Sequence, residues 1–260
     1  MIDDDIDEAL DWQGNDIECR GCDHQDMMVL GKCQLKRACV HDRYARRIDR
    51  FFDWNPGLSN QYLTHPHFEV RAIASKAADI FRLPPLLEDS DEVVRWNAVR
   101  RLPKRYLLRL IHDPHREVRI RVATRLDESD LVQMINDEDY YVRLIIARRA
   151  DPGLLPMLVT DPESEVRRVV AGRIPSVWLM LLANDEDASV RIEAVQRLAP
   201  SQLQNLKSDS DWRVRYEVAC RADWSVVSQM EQDDDSLVRE CALQRKKDLG
   251  KQELIKESTP

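Results

Sequence analysis

The dipeptide Val-Arg recurs at Val70-Arg71, Val94-Arg95, Val118-Arg119, Val142-Arg143, Val166-Arg167, Val190-Arg191, Val214-Arg215 and Val238-Arg239, always 24 residues apart and never with an insertion. A fixed period of this length is the mark of a stacked array. A single repeat cannot bury its own apolar stripe, so each must lie against its neighbours. Other columns keep the same period. Asp stands five residues before the Val in seven copies (Asp89, Asp113, Asp137, Asp161, Asp185, Asp209, Asp233), and His65 takes its place in the first. Arg stands seven residues after it in seven copies, from Arg101 to Arg245. Apolar residues fill the thirteenth and sixteenth positions after it, as in Leu107 and Leu110 or Leu155 and Leu158.

Each column has a physical reading. The Asp is expected to cap a helix N-terminus, accepting orphan backbone N–H groups. Pro66, Pro114 and Pro162 follow that column, where a proline at a helix start is tolerated. Val118, Val122 and Leu126 give the i, i+4, i+8 stripe of a helix of about three turns. Small residues such as Ala123 and Ala147 sit beside the stripe and let helices approach closely. Pro103, Pro175 and Asp151-Pro152 stop the helix. The Leu-x-x-Leu that follows is too short for a long α-helix and reads as one or two turns, in part 3₁₀. Residues 244–260 lose the leucines and read as a C-terminal cap, while Tyr44, Ile48, Phe51 and Phe52 form a helical stripe able to cover the first repeat.

The arginines invite a nucleic-acid reading, which the charges oppose. An acid stands four residues before the Val-Arg arginine in six copies (Asp91, Asp139, Glu163, Asp187, Asp211, Asp235). That is the favourable i, i+4 orientation on an exposed helix face, at roughly 0.2–0.5 kcal/mol per pair. The expectation is therefore a structural ladder of locally paired charges. Residues 51–260 carry 31 basic and 35 acidic residues and lack the basic footprint of a duplex binder.

Charge is uneven toward the N-terminus. Residues 1–18 hold eight acids and no Lys or Arg, and are expected to be a frayed, solvated arm. Residues 19–50 hold eight bases against four acids. The acidic start has no apolar core of a signal peptide, and no run of 18 apolar residues suggests a membrane span. A reducing, cytoplasmic setting is expected, in which clustered cysteines read as metal ligands.

Four of the six cysteines cluster as Cys19, Cys22, Cys33 and Cys39, in the pattern C-x₂-C-x₁₀-C-x₅-C. A Cys-x-x-Cys turn points two thiolates at one centre, and two more cysteines complete four ligands. Zinc prefers two tight knuckles, and the second pair here is too widely spaced for one. An iron–sulfur cluster accepts wider spacing. The bases Arg20, Lys32, Lys36, Arg37, Arg43, Arg46 and Arg47 would offset its negative charge. The pattern departs from the two-cluster ferredoxin run. Local charge favours iron–sulfur over zinc only modestly, and both stay open on the residues alone.

The 24-residue repeat D-x-(D/E)-x-x-V-R-x-x-(V/A)-A-x-R … L-x-x-L, behind a four-cysteine segment, resembles the bacterial leucine-rich repeat variant proteins. The resemblance covers residues 65–256 for the repeats and 19–39 for the cysteines. It implies an all-α, right-handed solenoid alternating α-helix and short 3₁₀ helix, with a small N-terminal domain holding a [4Fe–4S] cluster. It maps the ligand role onto Cys19, Cys22, Cys33 and Cys39, and suggests a setting in nitrogen-fixing bacteria. The first repeat departs from the pattern, with His65 for the Asp and Ala77 for the second Arg. The expected organisation is an acidic arm (1–18), an iron–sulfur domain with its connecting cap (19–64), eight repeats (65–256) and a short tail (257–260).

Other residues receive plainer readings. Cys220 and Cys241 sit in different columns of consecutive repeats and are expected to be free thiols. His65, His67, His112 and His115 lie too far apart in the array to share a metal. Trp96, Trp212 and Tyr216 are expected to stack on neighbouring repeats rather than mark a binding face. No Walker A, H-E-x-x-H, G-x-S-x-G or G-x-G-x-x-G motif occurs, so no enzyme is expected. Three functions fit, in this order: a scaffold presenting its superhelical surface to a protein partner, an electron-transfer protein, and a redox-controlled nucleic-acid regulator.

Overall fold

A computed structural model describes residues 7–257, and the side chains of residues 7–248. The first six residues of the expected arm and most of the expected tail lie outside the described residues. The chain divides into two compact units, 1–127 and 128–260. Among the described residues no β-strand forms, and pairing is confined to isolated bridges such as Leu10–Asp16 and Asp11–Asp42.

The first unit holds α1 (Gln25–Val29), α2 (Ala45–Trp54) and the repeat helices α3 (Phe68–Ala74), α4 (Glu92–Arg101) and α5 (Arg116–Arg125). Between the repeat helices run 3₁₀ segments, Pro84–Glu88 and Lys104–Leu110 among them. The second unit repeats this alternation through α6 (Tyr140–Arg149), α7 (Ser164–Arg173), α8 (Leu179–Leu182), α9 (Ala188–Val195), α10 (Trp212–Arg221), α11 (Trp224–Val227) and α12 (Ser236–Glu257). The one-turn helices α8 and α11 stand where other repeats have 3₁₀ turns. After Val238 the helix α12 runs on to Glu257 in place of a 3₁₀ half.

The apolar columns are the core. Val94, Val118, Val142, Val166, Val190 and Val214 are fully buried, as are Leu83, Leu107, Leu131, Leu155 and Leu203. Each fully buried leucine or valine contributes about 2 kcal/mol of transfer free energy. Ala98, Ala123, Ala147, Ala171 and Ala219 are fully buried too, where a larger side chain would force neighbouring helices apart. Ile48, Phe51 and Phe52 on α2 are buried, and α2 packs on α3, so the expected cover of the first repeat forms.

The charged columns do something other than expected. The Val-Arg arginine does not pair with the acid four residues before it. Its Nε and Nη2 reach both oxygens of the Asp 18 residues later, in the next repeat. Arg71–Asp89, Arg95–Asp113, Arg143–Asp161, Arg167–Asp185, Arg191–Asp209 and Arg215–Asp233 all form this fork at 2.6–2.9 Å. The third nitrogen, Nη1, turns back to its own repeat: that of Arg95 donates to the carbonyl of Asp89 at 2.9 Å. Arg95 is 8% exposed and Asp113 4%, so the pairs are buried rather than solvated.

The Asp five residues before the Val is therefore not the helix cap. That role falls to the residue two positions further on, where Asp91 accepts from the Val93 N–H and Asp187 from the Ser189 N–H. The second Arg column runs the other way along the array. Nη1 of Arg101 donates to the carbonyls of Ser75 and Ala78, and Nη1 of Arg245 to those of Ala219 and Ala222. Each such arginine satisfies the orphan C-terminal carbonyls of the preceding repeat's helix and complements its dipole.

Two further expectations are corrected. Residues 7–18 are not frayed: Asp7 bonds Lys36, and Glu8 bonds Arg43 and Tyr44. Opposite charge on the basic segment gives the acidic stretch a partner. Cys220 and Cys241 are not free thiols. They form a disulfide between α10 and α12, with Cα atoms 6.0 Å apart.

Replacing Asp113 by Ala should lower the unfolding free energy by about 3 kcal/mol, because Arg95 stays buried without its carboxylate. Asp91→Ala, which removes only a cap, should cost about 1 kcal/mol. Urea denaturation of the two variants checks the order. Equal losses would return Asp113 to a capping role.

Candidate metal centre

The four clustered cysteines sit on turns rather than on regular elements. Gly21, at φ +82°, lets the chain reverse between Cys19 and Cys22. The Cys22 N–H then donates to the Cys19 carbonyl at 3.3 Å. A Cβ at Gly21 would meet nothing within 4 Å, so backbone conformation and not space demands glycine there. The helix α1 follows and leads to Cys33. A tight loop bridged between Gln34 and Ala38, with Lys36 at φ 63°, turns the chain back to Cys39.

Cys39 is buried at 4% exposure, and Cys19, Cys22 and Cys33 are half-buried. The thiols interact. Cys33 and Cys39 are hydrogen-bonded, which lowers the Cys33 pKa and, together with burial, raises that of Cys39. Burial raises Cys19, with further contributions from Cys39 and Cys22. Backbone N–H groups already aim at sulfur: His24 N–H donates to Cys22 Sγ at 3.4 Å, and the His41 backbone bonds Cys39. Amide donors of this kind stabilise thiolate ligands and tune a cluster's potential.

One wall of the site is aromatic. His24 is buried, contacts the phenol oxygen of Tyr62 through Nε2, and packs its ring against Phe51 and His41. Burial lowers the His24 pKa and raises that of Tyr62 to about 12. On the other side an open cavity of about 380 Å³ lies beside Cys22, lined by Trp12, Ile17, Arg20, Asp23 and His41.

The bases around the cysteines are not all turned toward them. Arg47 is buried against Asp42, with Nη1 to Oδ2 at 2.9 Å, and donates to the Glu8 carbonyl at 2.8 Å. Lys36 and Arg43 hold Asp7 and Glu8. Part of the basic island therefore fastens the N-terminal segment onto the domain. Sequence reasoning missed His24, Tyr62 and the Arg47–Asp42 pair. The aromatic stripe of α2, on which Phe51 lies, was the available signal for the first two.

The thiols act on one another electrostatically, and backbone N–H groups donate to the sulfurs of Cys22 and Cys39, a donor set that suits thiolate ligation. Among the described residues, no three Cys, His, Asp or Glu side chains are gathered in the arrangement that holds a single metal ion. Residues 9–61 match a family model described as the LRV protein FeS4 cluster. The chain is an iron–sulfur-containing repeat protein.

A solved structure described as a leucine-rich repeat variant with a novel repetitive protein structural motif superposes with a TM-score of 0.81. It is 38% identical and covers 87% of this chain and 97% of its own. The chain belongs to the leucine-rich repeat variant family. A Rhodobacter capsulatus protein, described as an uncharacterized 27.7 kDa protein in the nifB 3′ region, is 51% identical over 96 residues. That match spans 37% of this chain and 39% of the relative's length. No helix among the described residues is long and apolar enough to cross a membrane.

Asp42 is fully buried and holds both Arg47 and the Tyr44 N–H. Asp42→Asn should destabilise the N-terminal unit by about 3 kcal/mol through the uncompensated Arg47. Urea denaturation followed by tryptophan fluorescence measures it. A loss below about 1 kcal/mol would mean that Arg47 finds another acceptor.

Proposed function

We propose that this chain is a protein-interaction scaffold, working in the cytoplasm, whose N-terminal domain carries a [4Fe–4S] cluster on Cys19, Cys22, Cys33 and Cys39. The observation that carries the scaffold reading is the fate of the charged columns. The Val-Arg arginines and the Asp residues they meet are consumed inside the framework, in buried forks between successive repeats. Such an array has surface to offer rather than reactive groups, and solenoids present such surface to partners. Trp212 and Tyr216 are exposed, against the expectation that they stack on neighbouring repeats, and with exposed Tyr140 and Tyr141 they supply aromatic contact area to a protein partner. No residue set of an enzyme is assigned.

For the cluster, the four thiols and their N–H donors support the cysteine ligands, and the wide second spacing supports a cluster over zinc. When bound, the cluster supplies one-electron chemistry. Around it, the N–H groups of His24 and His41 would hold the sulfurs of Cys22 and Cys39, and Phe51 would exclude water on one side. A second reading, electron transfer, is favoured by the half-buried Cys19, Cys22 and Cys33 and the open cavity beside Cys22, which leave one side accessible to a redox partner. The nucleic-acid reading loses support, since Lys36, Arg43 and Arg47 are engaged by Asp7, Glu8 and Asp42. The neighbourhood of nifB in the R. capsulatus relative suits a metallocluster context.

Protein purified without air should contain about four irons and four sulfides per chain, with broad visible absorption. Serine at any of the four positions should remove most of the iron, whereas Cys220→Ser should leave it intact. One zinc without sulfide would overturn the cluster and leave a structural cap. Reversible reduction of the intact cluster would move the balance to electron transfer, and decomposition on reduction would restore the scaffold reading.

A further inference from the structure

The repeat region carries two cysteines, Cys220 and Cys241, and their placement follows the geometry of the array. Cys220 stands six residues after its Val and Cys241 three residues after the next one. These two columns face each other at every step where a contact is seen in the second unit. Gln196 Nε2 donates to Glu217 Oε1 at 3.0 Å, from the same two columns one repeat earlier. One repeat before that, a Cβ placed on Gly172 would lie 3.5 Å from Glu193 Oε2. The offset is 21 residues in each case, as in the disulfide. Elsewhere in the repeats these columns hold Lys, Arg, Thr, Gly or Gln on one side and Asn, Arg, Ile, Val or Glu on the other. Cysteine occurs in both at a single step, and it occurs on the facing pair.

We propose that Cys220 and Cys241 form a reversible dithiol–disulfide site that takes a small-molecule disulfide as its oxidant and, when oxidised, staples α12 to α10. The Cα separation of 6.0 Å is within the usual span of a disulfide, so the bond forms without moving either helix. Both residues are half-buried, so neither is sealed in the core.

The exchange proceeds in two balanced steps. A thiolate of one cysteine attacks a sulfur of R–S–S–R, forming a mixed disulfide and expelling one RS⁻. The second cysteine, deprotonated, attacks the protein sulfur of that mixed disulfide and expels the second RS⁻. The protein dithiol loses two electrons and two protons, and the oxidant becomes two RSH. Excess RSH reverses the sequence.

The structural consequence falls on α12. Arg245 already ties this helix to the carbonyls of Ala219 and Ala222 at the end of α10. The disulfide adds a covalent tie one turn earlier on α12, closing a loop across the 3₁₀ half of the seventh repeat. Oxidation therefore holds the start of α12 against local opening.

The test uses the full-length protein, purified without air and equilibrated with increasing ratios of glutathione disulfide to glutathione. Free thiols are alkylated and the protein is cut with trypsin. Cys220 then lies in peptide 216–221 and Cys241 in peptide 240–245, apart from the peptides of Cys19, Cys22, Cys33 and Cys39. The readout therefore stands whether or not a metal centre is present. The expected result is a linked pair of these peptides, two hydrogens lighter than the sum of the free ones, that accumulates with oxidation and disappears on reduction. Amide exchange over residues 236–248 should slow by roughly tenfold in the oxidised protein. It should not respond to the ratio in Cys241→Ser. Both cysteines alkylated at the most oxidising ratio, or each left as a separate glutathione adduct, would overturn the site. A linked pair without any change in exchange would overturn the staple.

Discussion

The structure depends on one interaction, the bidentate fork from the Val-Arg arginine of one repeat to the Asp of the next. It spans 18 residues of chain and is met at 2.6–2.9 Å in six copies. Replacing a buried ion pair by apolar residues is often neutral in stability, so the fork's value does not lie mainly in strength. It lies in geometry. With Nη1 spent on its own repeat's carbonyl, the planar guanidinium offers the carboxylate its Nε–Nη2 edge, and that edge fixes the plane and direction of the pair. An insertion anywhere between the two partners would leave two charges buried without each other. That penalty accounts for a period that stays at 24 across eight copies, where loops in most folds vary in length.

The second arginine column works against the first in direction and with it in effect. The Val-Arg arginine reaches forward to a carboxylate, and the later arginine reaches back to the carbonyls that end the preceding helix. Each repeat in a unit is thus fastened to its neighbours by charge-assisted hydrogen bonds while valine, leucine and alanine fill the space between. This settles what the 33% charged composition means for this chain. Much of that charge is internal framework, and a surface reading of the arginines as a ligand-binding stripe has little left to rest on.

How much of this was legible depends on what periodicity can and cannot report. The 24-residue period, the buried Val and Leu columns and the short Leu-x-x-Leu turns follow from spacing alone, because burial selects residue type. The partner of each charge does not, since spacing offers the Val-Arg arginine two acid columns, one four residues before it on its own helix and one 18 residues after it in the next repeat, and does not choose between them. One signal did separate them. The first repeat has His65 where the others have Asp, yet it starts a helix like the rest. A capping role would have required Asp there as well. A role as acceptor for the preceding repeat's arginine would not, because no Val-Arg precedes it. His65 keeps only the local duty, its Nδ1 accepting the His67 N–H at 3.1 Å. The docking of residues 7–18 was hidden for a similar reason: composition showed opposite charges side by side but not that a bridge from Asp11 to Asp42 would fold one onto the other.

The two groups of cysteines show how backbone context decides what thiols can do. Cys19, Cys22, Cys33 and Cys39 lie on turns, one of them held by a glycine at positive φ, and main-chain N–H groups point at the sulfurs of Cys22 and Cys39. Turns can close around a centre larger than a single ion, and their free N–H groups, which a helix interior would have used up, remain to stabilise thiolates. Cys220 and Cys241 lie on two packed helices, whose N–H groups are already spent and whose separation is fixed by the Val and Ala columns between them. Helix packing at that distance leaves room for a sulfur–sulfur bond and for little else. The same residue type, in the same chain, thus stands on turns with free N–H groups in one unit and on packed helices joined by a disulfide in the other, and secondary structure sets what each group of sulfurs is fitted for.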